Sequence, residues 1–149
     1  LTAFYALLSP TTTQALTLTA SWTQSANVIV TASSISGCAS LPANGVSASG
    51  SSASPTVSTG NAASGTMVFD SAVTISGRVL TPSAELTPQY AQLGTNSGSN
   101  DLVHRAATRV AAASVAMNWT LDSSSNWVMA ACVLLPSTPA NAGSFFQFF

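Results

Sequence analysis

The chain has 149 residues and seven charged side chains, three arginines and four acids, with no lysine, for a net charge of -1. Charged residues make up 5% of it, where about a quarter is usual for a globular domain. That excludes a basic nucleic-acid groove. No run of 18 apolar residues is present to form a membrane span. In place of charges stand 25 serines and 18 threonines. The length supports one domain with a real core.

Taken in chain order, Phe4, Tyr5, Leu7 and Leu8 form an apolar segment that stops at Ser9-Pro10. Leu16, Leu18, Ala20 and Trp22 alternate with Thr17, Thr19 and Ser21, and Val28, Val30 and Ala32 repeat the pattern after a short turn. Period-2 alternation of this kind predicts a hairpin with one wet face. Residues 39–66 contain almost nothing large and read as a Ser/Gly/Ala/Pro connection. Met67 and Phe69, then Val73 and Ile75, predict two short strands, and 95–100 reads as a loop. Residues 106–113 suit a strand through Thr108 and Val110.

Val115, Met117, Trp119 and Leu121 point one way, with Ala116, Asn118 and Thr120 opposite. After the polar turn at 122–126, residues 127–135 are apolar on both faces. The pair predicts a second hairpin whose last strand is central and covered on both sides. The tail, 144–149, carries Phe145, Phe146, Phe148 and Phe149, each worth about 2–3 kcal/mol when buried. It reads as a plug for the chain's own core or as an anchor in a neighbouring subunit. About seven to nine short strands with polar turns predict an all-β fold. We expect a single antiparallel β-sandwich, jelly-roll or immunoglobulin-like, over residues 1–136, followed by a tail at 137–149 carrying the apolar anchor.

Cys38 and Cys132 match no metal motif and have no histidine beside them. They read as one disulfide in an oxidising compartment, or as two buried thiols. A bridge would close a loop of more than 90 residues, worth about 4 kcal/mol on the loop-entropy model. Asn118-Trp119-Thr120 is an N-glycosylation sequon, and alternation turns Asn118 outward. Trp22, Trp119 and Trp127 are in phase with core-facing aliphatics and read as core packing rather than a sugar-binding row.

The one histidine, His104, lies in the densest ionisable cluster, with Asp101, Arg105 and Arg109. No Gly-x-Ser-x-Gly elbow accompanies it. The favoured reading is structural: Asp101 pairs with Arg105 or Arg109 at a loop edge or across a contact, where a pair fixes register. The acids are scattered, and no phosphate loop follows a strand. The sequence therefore predicts no enzyme, cofactor or metal site.

Ser114-Val115-Ala116-Met117-Asn118-Trp119-Thr120-Leu121 with Asn126-Trp127-Val128-Met129-Ala130-Ala131 resembles the closing hairpin of a widespread β-sandwich module. Phe4-Tyr5-Ala6-Leu7 followed by 15–37 resembles its earlier part. That module occurs in secreted bacterial proteins and tailed-phage virion proteins as an adhesive or structural unit. In it, two or three strands usually precede the segment resembling Phe4-Tyr5. Those strands are absent here, so the resemblance implies either a chain that was cleaved or an incomplete sandwich, completed by a strand from a neighbouring subunit. Composition and resemblance together predict a structural subunit of an extracellular self-assembling structure, a surface filament or sheath or a virion exterior. Copies of itself are the expected partners, with covalent glycans on the hydroxyl-rich surface. A carbohydrate-binding or adhesion module is the alternative.

Overall fold

The computed structural model describes residues 43–60, 62–91, 101–111 and 114–136, together with positions 19, 21, 23, 29–31, 33, 35 and 94. Eight strands follow in order: β1 (Ala43–Ser52), β2 (Thr56–Thr59), β3 (Met67–Thr74), β4 (Leu80–Pro82), β5 (Thr87–Pro88), β6 (Val103–Val110), β7 (Val115–Leu121) and β8 (Ser125–Leu134). Among the described residues there is no helix, and so none long and apolar enough to cross a membrane. One sheet has the order β1-β8-β3-β6-β5 and the other β2-β7-β4, with every pairing antiparallel. The fold is an all-β sandwich.

The core lies between the sheets and follows the alternation of its strands. From β7 come Val115, Met117, Trp119 and Leu121; from β8, Trp127, Met129, Ala131 and Val133. Val68 and Ala72 on β3, Val103 and Ala107 on β6, Leu80 on β4 and Val57 on β2 add to it. Each large apolar side chain so buried contributes about 1.5–3 kcal/mol.

The structure corrects four expectations. The 39–66 region contains two strands, β1 and β2. Gly50 in β1 is demanded by packing, because a Cβ there would stand 2.8 Å from Cζ2 of Trp127. Gly50 and Trp127 are cross-strand partners, and the indole roofs the glycine of a strand that ends its sheet among the described residues. Second, 67–75 is one eight-residue strand plus a following residue, not two. Asp70 and Ser71 look like a break, yet their backbones stay in both flanking ladders.

Third, β7 and β8 do not pair as a hairpin. They belong to opposite sheets, and the chain crosses the sandwich at the 122–124 turn. Their apolar rows face one another through the core, which buries both more fully than lying edge to edge. β8 itself is internal, between β1 and β3, with Ala131 to Leu134 buried on both faces. Fourth, positions 19, 21 and 29–31 are not in strands. Alternation specifies a wet and a dry face, but a strand also needs a partner backbone to bond. The remainder of that expected hairpin lies outside the described residues.

Candidate functional site

All seven charged residues lie among the described residues, so the placement of charge is complete. Three of them point into the sandwich. Asp70, at the centre of β3 and fully buried, accepts hydrogen bonds from Trp119 Nε1 on the opposite sheet at 2.6 Å and from the Ala107 amide on β6 at 2.8 Å. Burial pushes its pKa up to about 7, with the two hydrogen bonds pulling the other way. Arg105 donates from Nη1 to the Leu80 carbonyl at 2.7 Å, and its guanidinium carbon lies 5.8 Å from the centre of the Trp119 ring. Arg109 donates from Nη1 to the Ala116 carbonyl at 2.8 Å. Both arginines thus reach from β6 to the facing sheet and act as cross-ties.

The other four charges sit in turns. Arg78 follows β3, Glu85 follows β4, Asp101 precedes β6 and Asp122 follows β7. The Asp122 carboxylate accepts from the Val79 amide at 3.2 Å, and the Asp101 carbonyl from the Gly77 amide at 3.2 Å. Glu85 accepts from the Ser83 hydroxyl at 3.0 Å; this bond, then a backbone bond and the charge of Arg109, hold its carboxyl below the usual range.

The consequence is that no charged side chain stands on the outer face of any strand. The outer face of the three-stranded sheet presents Thr56 and Ser58 on β2, Asn118 and Thr120 on β7, and Thr81 on β4, all exposed. Thr56 donates its hydroxyl to the Asn118 side-chain carbonyl at 2.7 Å. The β1 end of the other sheet presents Ser47, Ser49 and Ser51, with Asn126 and Val128 of β8 beside them, again all exposed. These are two neutral, hydroxyl-bearing walls.

The far half of the five-stranded sheet's outer face is different. There His104, Ala106 and Cys132 are 4%, 0% and 1% exposed. His104 Nε2 shares a hydrogen bond with Ser71 Oγ at 2.7 Å, and the Tyr90 hydroxyl lies 3.0 Å from Nδ1. Tyr90 also bonds Thr31, and burial raises its phenol pKa. Burial lowers the His104 pKa to about 4, so the ring is neutral, with one donor and one acceptor for its two hydroxyl neighbours. Ser71 and His104 have the spacing of a nucleophile and its base. Ser71 and Tyr90 are half-buried beside the buried ring, and a phenol stands where the triad template places an orienting carboxylate.

The remaining sequence-predicted residues divide clearly. Asn118 is exposed on the outer face of β7, as alternation requires, and Trp119 and Trp127 are buried in the core. Cys132 is buried on β8; Cys38 lies outside the described residues, and no disulfide is seen among those described. Phe4, Tyr5, Leu7, Leu8, Trp22, Phe145, Phe146, Phe148 and Phe149 also lie outside them. No group of three or more metal-ligating side chains occurs among the described residues. Sequence reasoning considered Asp70 and Ser71 only as weak calcium ligands, missed their hydrogen bonds within the fold, and missed Tyr90. An acid in phase with Val68 and Ala72 on an apolar row was the available signal for Asp70.

Comparison with protein-family models, with curated proteins and with solved structures finds no match for this chain.

Proposed function

We propose that the protein is a non-catalytic structural subunit that packs against copies of itself in an extracellular assembly, a surface filament or sheath or a virion exterior. The observation that carries this reading is the distribution of charge: three of seven charges are spent on cross-ties inside the sandwich, and the other four are confined to turns. Lone soluble domains keep apart through interspersed surface charge. Walls of Ser, Thr and Asn without charge allow close lateral approach with no ion to desolvate.

In this reading Phe4 to Leu8 and Phe145 to Phe149 supply apolar contacts between subunits. A Cys38–Cys132 disulfide and a glycan on Asn118 would suit an oxidising exterior. Deleting 144–149 should leave the thermal transition of the domain in place and abolish or weaken polymer formation seen by electron microscopy. Normal assembly by the truncated chain would remove the tail from the account. Intact-mass measurement without reductant tests the disulfide and the glycan together.

A further inference from the structure

The sheet edges of the sandwich are unequal. β5 ends the larger sheet on one side with two residues, one of them Pro88. In the smaller sheet β2 has four residues, and β4 has three, ending in Pro82. Short length and proline are the usual devices that stop an edge from pairing with another chain. β1 has neither. It is ten residues long, holds no proline and no charge, and pairs among the described residues with β8 alone. Its ladder is irregular between Ala43 and Val46, then runs unbroken from Val46 to Ser52. Ser47, Ser49, Gly50 and Ser51 are exposed along that run.

We propose that the Val46–Ser52 edge is the site at which a second copy of this chain adds, antiparallel, β1 against β1, so that the two five-stranded sheets become one. This rests on the self-assembly reading above and names its contact. A second copy fits because the run is compatible with itself. A two-fold axis at Ser49 pairs the whole regular run and sets Ser47 opposite the partner copy's Ser51 on the outer face, a ladder of hydroxyls. On the inner face it sets Ala48 opposite Gly50. No like charges meet in this arrangement, whereas a charged partner strand would find no countercharge on β1. The contact is isologous and closes on itself, so it yields a dimer that other surfaces extend.

Sedimentation velocity on the full chain tests this with S49K, S49E and their equimolar mixture. Ser49 is exposed, so both variants should melt within a few degrees of the unsubstituted protein. At the axis, each introduced charge meets its own copy. Each variant alone should dimerise at least about tenfold more weakly, since like charges in contact cost several kcal/mol. The mixture, which sets lysine against glutamate, should recover the dimer. Undiminished dimers in either single variant, or no recovery in the mixture, would overturn β1 self-pairing and leave the assembly reading standing. A wild-type chain that stays monomeric at every concentration would overturn both. Hydrogen exchange on the wild type gives a readout free of substitutions. Amides within Val46–Ser52 should slow as concentration rises while those of β5 do not, and unchanged β1 exchange in a dimerising sample would equally overturn the proposal.

Discussion

Two buried titratable residues set opposing pH dependences. The pKa of Asp70 is raised from 3.8 to about 7, so its stabilising contribution is full below pH 3.8 and is lost as pH rises through about 7. The pKa of His104 is lowered from 6.5 to about 4, so its contribution is full above pH 6.5 and is lost as pH falls through about 4. Between about pH 4 and 6.5 the two slopes have opposite sign and largely cancel. Replacing His104 with Gln, which keeps a donor and an acceptor, should expose the Asp70 slope. Urea unfolding of H104Q should then show stability falling from pH 4 to pH 7 by an amount on the order of 4 kcal/mol. A flat H104Q profile would contradict the assignment. Trp119→Phe removes the donor to a buried carboxylate oxygen and should cost about 1–3 kcal/mol at neutral pH. Lowering the pH to 4 should recover much of that loss, because the protonated acid needs the bond less.

At the scale of elements, the β1–β8 pair shows what local pattern conveys and what it does not. Val115 to Leu121 alternates so clearly that its strand, its inward row and the outward Asn118 were all legible. The partner of that strand was not, because alternation defines faces while the 122–124 crossing decides which sheet receives the next strand. β1 was illegible for a different reason: its residues are small and carry no apolar row, and Gly50 is fixed by Trp127, which occupies the space over it. The information for β1 therefore lies about 75 residues away, in the strand that covers it. Ser52 completes the arrangement by accepting a hydrogen bond from Trp127 Nε1 at 3.0 Å. Gly50→Val should push the indole off the strand, destabilise the domain by about 1–3 kcal/mol in urea, and change the near-ultraviolet circular dichroism. An unshifted midpoint with an unchanged spectrum would mean that the indole does not lie over Gly50 in solution.

For the whole molecule, the scarcity of ions was legible from composition, but its arrangement was not. The cluster of Asp101, His104, Arg105 and Arg109 reads in sequence as one ionisable group, with Asp101 paired to Arg105 or Arg109 at a loop edge or across a contact. In the fold, β-strand alternation divides it: Arg105 and Arg109 enter the sandwich, His104 lies on the opposite face of β6, and Asp101 stays in the preceding turn. Composition therefore overstates the charge available to keep copies apart. If neutral walls drive self-packing, association depends on concentration and hardly on ionic strength, since there are few charges to screen. The most direct measurement is the sedimentation distribution of the full chain across a concentration series at about 0.1 M and about 1 M salt. The account predicts mass-dependent association that persists, unweakened, at the higher salt. A single monomeric species throughout, or oligomers that dissolve as salt rises, would contradict it.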